Sequence, residues 1–151
     1  MNRVRVIVLG NESAGDDGAA LVACRRLGAG LEIIRAGRPG TALLDLLVPD
    51  AATVIVDVTR GGGPPGRITS VPLQDLPRVV FARSQFSSHG FGPAETLRLA
   101  EALDRVLPPG VFVGIEGERF ETGVGLSPSV EENLESLVAA VREAVVRLMG
   151  G

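Results

Sequence analysis

The chain has 151 residues, 45% hydrophobic and 22% charged, with a formal net charge of −3. This is the balance of one globular domain with a sizeable core, without the basic excess or the aromatic platforms of a dedicated nucleic-acid binder. All 15 basic residues are Arg and there is one Cys, Cys24, which excludes a Schiff-base lysine, a Walker-type phosphate lysine and an internal disulfide.

The elements are predicted as follows. "RVRVIVLG" (3–10) is short and rich in β-branched residues, as a buried strand is. Asp16-Asp17-Gly18 leads into "AALVACRRLGAG", whose Ala and Leu content and closing glycines predict a helix and its stop. "LEIIRA" (31–36) is a second strand, "TALLDLLV" (41–48) a short helix, and "ATVIVDV" (52–58) a third strand, apolar until Asp57. "TRGGGPPGR" (59–67) is a loop by composition and "RITSV" an additional strand. "GPAETLRLAEALDRVL" (92–107) predicts a helix with Pro93 in its first turn, and "VFVGIEG" (111–117) a last strand. From Ser127 onward, Val130, Leu134, Leu137, Val138, Val141, Val145 and Leu148 share one face of a closing amphipathic helix.

Alternating strands and helices imply a single α/β domain over 1–151, a three-layer sandwich. About five strands form a mostly parallel twisted sheet with helices on both faces. No apolar run reaches the ~20 residues of a membrane span, and "MNRVRVIVLG" lacks the layout of a signal peptide. A cytoplasmic protein, in keeping with a lone cysteine, is expected.

With no Lys or Tyr and one His, chemistry falls to carboxylates, hydroxyls, His89 and Cys24. In open α/β sheets, ligands bind beyond the carboxyl ends of the strands. Asp16 and Asp17 follow the first strand, Asp57 ends the third, and His89 lies in "SSHGFG" before a helix. Three loops thus deliver carboxylate, carboxylate and imidazole to one sheet edge, a donor set that leaves positions open on a divalent metal. Each residue also has a plainer role. Asp16 or Asp17 caps the first helix, a place Asn would fill as well; Asp57 binds loop amides; His89 is a surface residue; Cys24 is a small core residue. The glycines of "GGGPPG" fit neither phosphate-loop pattern. Ser13 in "NESAG" is one Gly short of a nucleophile elbow. The order Ser13, Asp57, His89 is that of α/β-hydrolases, which keeps a serine hydrolase as an alternative.

"VLGNESAGDDG", "VIVDVTRGGGPPGRI", "SSHGFG" and "VGIEGERFETGVGLSP", in this order and spacing over nearly the whole chain, resemble the maturation endopeptidases of nickel-iron hydrogenases. The resemblance implies a small α/β protease that removes a C-terminal extension from the hydrogenase large-subunit precursor after nickel insertion. It implies Asp17, Asp57 and His89 as the metal-contacting residues, with Asp16 the adjoining acid and all four as the catalytic set. The nickel comes with the precursor, no tightly bound cofactor is expected, and the protease is expected to be a monomer that neither binds nucleic acid nor enters a membrane. Val8 replaces the first Gly of the family's G-x-G-N, residues 12–13 differ, and Thr59-Arg60 stands where a second acid is common. Two mechanisms fit the residues. In one, the metal polarises the scissile carbonyl or activates water, with a carboxylate as base. In the other, nickel positions the strand while Asp16 and backbone donors serve hydrolysis. A scaffold that docks without cutting is the non-enzymatic alternative.

Overall fold

The most apolar stretches of the sequence take the middle of the sheet. The computed structural model describes residues 3–11, 13–37, 41–61, 63–79 and 92–150. Strand β1 (Val4–Leu9), β2 (Glu32–Gly37), β3 (Ala52–Thr59), β4 (Ile68–Pro72) and β5 (Gly110–Glu116) form one sheet in the order β2-β1-β3-β5-β4. All neighbours are parallel except β4, which runs antiparallel to β5 along the edge. Every residue of β3 is buried, as a strand covered on both faces requires. Edge strand β2 is largely exposed instead.

Side chains alternate between the faces. Val6, Val8, Val54, Val56, Val113 and Ile115 pack against α1 (Ala19–Cys24) and the C-terminal helices. Ile7, Leu9, Ile55 and Phe112 pack against α2 (Thr41–Leu46) and α3 (Pro93–Ala102). Asp57 follows Ile55 by two residues and shares the α2/α3 face. From β1 the chain turns to β2 on one side and then crosses to β3 on the other. The strand order therefore reverses between β1 and β3, which places a switch point at their carboxyl ends.

All four predicted helices depart from their bounds, each through hydrogen bonding; α2 ends at Leu46 rather than at residue 48, where the Leu47 N–H donates to the Leu44 carbonyl, three residues back. α1 ends at Cys24 rather than running to Gly30, because Arg26 and Leu27 donate to the carbonyls of Ala23 and Cys24, three residues back. α3 ends at Ala102 rather than at residue 107. Arg105 N–H donates to the Ala100 carbonyl and Asp104 N–H to that of Glu101, at 3.0 Å each, with Asp104 left-handed at φ 58°. This is a Schellman stop with Asp in the place that Gly usually holds. The closing helix is divided into α4 (Pro128–Glu132) and α5 (Leu134–Gly150). The Asn133 side-chain amide donates to the Ser129 carbonyl at 2.7 Å, so its backbone N–H turns to Val130 at 3.0 Å. The predicted apolar face is buried from Val130 to Val145, with Leu148 partly so.

Cys24 is a core residue, as expected, and burial pushes its thiol up to about 12. No helix among the described residues is long and apolar enough to cross a membrane.

Candidate functional site

The acids of the β1–α1 turn have different fates. A 3-10 turn, Gly15–Gly18, carries both, and neither caps it or α1 through a side chain. The capping role expected of this pair is therefore absent. Asp16 is fully buried and reaches across to the loop after β5. One carboxylate oxygen accepts from the Glu118 and Arg119 amides at 2.7 and 2.9 Å and from the Ser127 hydroxyl at 2.8 Å. The other accepts from the Ser127 amide at 2.7 Å. Burial alone raises the pKa of such a group, yet the Arg119, Ser127 and Glu118 amides and the Ser127 hydroxyl together hold Asp16 below the usual carboxylate value. Gly15, at φ +58°, lets the loop approach closely, because a Cβ there would lie 2.5 Å from the Arg119 carbonyl oxygen. An ionised carboxylate with four donors is a clamp between two loops and poorly suited to act as a base.

Asp17 points the other way and is half-buried. Its carboxylate accepts from the Asn11 amide at 3.0 Å, and its carbonyl receives the same N–H at 3.1 Å. Gly10 precedes Asn11 at φ +127°, and a Cβ on it would lie 2.1 Å from the Asp17 carbonyl oxygen. Only glycine fits there.

Asp57 is 8% exposed. Among the described residues its carboxylate has one hydrogen bond, from the Val58 amide at 2.8 Å. Burial first, and then the negative charge of Asp17, push its pKa up to about 8, against the opposing pull of the Val58 amide and the Arg60 charge. Two carboxylates, one in the turn after β1 and one near the end of β3, thus lie close enough at the switch point for the charge of Asp17 to raise the Asp57 pKa. A divalent cation relieves such a pair, as does a shared proton. His89, the proposed third ligand, lies outside the described residues, and among those described no three His, Cys, Asp or Glu are grouped to hold a metal.

Other residues shape this edge that sequence reasoning did not single out. Glu116, which ends β5 as Asp57 nearly ends β3, is 8% exposed and accepts from the Thr59 hydroxyl at 2.9 Å and the Gly61 amide at 3.2 Å. It ties down the start of the Gly/Pro loop. An acid closing an apolar strand was the available signal, the same one that identified Asp57. Arg60 lies over the Phe120 ring, 3.8 Å from its centroid. Ser13 is exposed, its amide held by the Asn11 side chain at 3.0 Å and its carbonyl by the Gly123 amide at 3.0 Å. That is an Asx turn rather than a nucleophile elbow.

The chain matches the family model HycI, hydrogenase maturation protease, over residues 21–144, a span that includes Asp57 and the position of His89 and begins just after Asp17. None of the curated proteins matches it in sequence. Solved structures share its fold. The hydrogenase maturating endopeptidase HybD from E. coli is 24% identical over 93% of each chain, with a TM-score of 0.75. An Escherichia coli endopeptidase solved in solution is 23% identical, covering 95% of this chain and 91% of its own at a TM-score of 0.78. The [NiFe] hydrogenase maturation protease HybD from Thermococcus kodakarensis is 26% identical over 93% of this chain and 97% of its own, at 0.68. With most of its length matched by the family model, the chain belongs to the hydrogenase maturation proteases and is a peptidase.

Proposed function

We propose that this endopeptidase removes the C-terminal extension of a nickel-iron hydrogenase large-subunit precursor once nickel has been inserted, acting in the cytoplasm as a monomer. Asp17, Asp57 and His89 meet the nickel that the precursor carries. The observation that supports this most directly is that burial, and then the charge of Asp17, raise the pKa of Asp57 to about 8. Such a pair gains from a cation delivered between its members, while two carboxylates and an imidazole make a modest site on their own. Affinity for the precursor then depends on its metal, so an unfinished subunit is not cut.

In this reading Asp16 holds the loop after β5 in place, and the hydrolytic base is a carboxylate of the Asp17/Asp57 pair. An acid poised near neutrality suits proton transfer to and from an attacking water. Ser13 has no part, and the docking-only scaffold gives way to the peptidase that family membership assigns.

The test is incubation with nickel-loaded and nickel-free precursor, followed by the mass of the product. Cleavage is expected only of the loaded form, and Asp17→Asn, Asp57→Asn and His89→Ala should each abolish it. Equal cutting of nickel-free precursor removes the checkpoint, and normal cutting by His89→Ala removes the imidazole.

A further inference from the structure

The geometry points to Arg60 as the residue that anchors the segment to be removed, its guanidinium taking a carboxylate carried by that segment. Arg60 follows β3, three residues after Asp57. Its guanidinium lies over Phe120 at 3.8 Å. Phe120 is itself fixed, because its ring fills the space above Gly117, where a Cβ would meet the ring at 2.6 Å and Val58 Cγ2 at 2.7 Å. The loop that carries Phe120 is held in turn by Asp16, through the amides of Glu118, Arg119 and Ser127. The chain Asp16, loop, Phe120, Arg60 is thus a rigid mount for a cation.

A guanidinium stacked by its face keeps its N–H fork in plane and open at the edge, the geometry that takes a carboxylate through two hydrogen bonds. Among the described residues nothing accepts a hydrogen bond from Arg60 or pairs with it as an ion; its contacts are the ring and the longer-range pull on Asp57. The Asp17 carboxylate repels an anionic chain, so a carboxylate bound at this edge needs a fixed positive charge nearby. Two sources fit, an acidic side chain of the extension or its terminal carboxylate. This inference rests on the proposed removal of a C-terminal extension.

Two measurements on the full-length protein test it. One is KM and kcat on nickel-loaded precursor; the other is fluorescence anisotropy of a labelled synthetic peptide of the extension, without nickel. Arg60→Met is expected to raise KM and weaken peptide binding by roughly tenfold or more, the usual weight of a charge-assisted pair, with kcat changed less than threefold. Arg60→Lys should recover part of the loss, and Phe120→Leu should lose part of it, since the ring orients the fork without touching substrate. An amidated peptide terminus or acid-to-amide changes within the peptide should reproduce the loss in the parent and add nothing to Arg60→Met, which identifies the carboxylate. Unchanged KM and peptide binding in a folded Arg60→Met, while the parent cuts, overturns the anchor and keeps the proposed function. A parent that binds peptide through Arg60 yet leaves loaded precursor uncut overturns the function and keeps the anchor. A parent that does neither overturns both.

Discussion

Replacing Asp57 with Asn should make the protein more stable and inactive, and the gain should depend on pH. Asp57 has its pKa raised from 3.8 to about 8 by burial and by Asp17. A carboxyl whose folded-state pKa is raised favours the fold fully at acid pH, and that advantage is lost as pH rises from the unfolded value through the folded one. Between these limits the folded chain keeps a proton that the unfolded chain releases, at about 1.4 kcal/mol per pH unit. By pH 7 the difference is on the order of 4 kcal/mol, an upper bound because relaxation and water entry reduce it. Asn is nearly isosteric. Its oxygen can keep the 2.8 Å bond from Val58, and its NH2 meets the Asp17 carboxylate with attraction in place of repulsion. We expect Asp57→Asn to gain about 2–4 kcal/mol near pH 8, roughly 4–12 °C in Tm for a chain of this size, and little near pH 4. Thermal melts of parent and variant across that range measure it. A lower Tm for the variant near pH 8, or the same gain at both ends, refutes the reasoning. Asp17→Asn in the parent should bring the Asp57 pKa down by only part of its shift, because burial remains; carboxyl-carbon NMR titration reads this directly.

Four further outcomes are expected. Asp16→Asn places an amide donor against one of four donors and should cost about 2–4 kcal/mol in denaturant unfolding, whereas a simple helix cap would tolerate Asn. Because the Asp16 pKa is lowered, the stability it confers is present above the unfolded value of 3.8 and lost as pH falls through the folded one; parent melts should weaken there and those of Asp16→Asn should not. Gly10→Ala sets a Cβ 2.1 Å from the Asp17 carbonyl oxygen and should cost more than about 2 kcal/mol and abolish cleavage, while a parent-like Tm would remove the close-approach argument. Asp104→Gly relieves the left-handed residue at the α3 stop and should raise stability by about 0.5–1 kcal/mol, and a loss would count against the Schellman assignment.

What was legible in the sequence was whatever depends on neighbours along the chain. The five strands, the first three helices in outline and the buried face of the closing helix follow from β-branched runs, helical spacing and Pro or Gly at the ends, and these survived folding with bounds shifted where a side chain or a tightened turn took a carbonyl. Asp57 was legible too, because a carboxylate ending an apolar strand has nowhere to go but the sheet edge. The strand order was not spelled out, and neither was the antiparallel setting of β4, since both depend on which loops are long enough to cross the sheet.

The division of work between Asp16 and Asp17 was the hardest to read, and the reason is physical. Adjacent residues in a 3-10 turn point about 120° apart, so one acid of such a pair leaves the face the other serves. Local reasoning offered Asp16 the nearest donors, the first-turn amides of α1. Its actual donors are more than a hundred residues away in sequence, at Glu118, Arg119 and Ser127, and they prevail because they come as a preassembled set of four that satisfies a fully buried charge. Ionic hydrogen bonds of that kind outweigh a single exposed cap worth ~1 kcal/mol. Once Asp16 is committed to the loop after β5, the turn fixes Asp17 against Gly10 and Asn11, facing Asp57. The buried acid therefore orients the half-buried one. Asp16→Ala should accordingly lower cleavage of nickel-loaded precursor even at temperatures where the variant remains folded, and the loss should appear with Asp17 intact. A folded Asp16→Ala that cuts at the parent rate would show that Asp17 finds its place without the clamp.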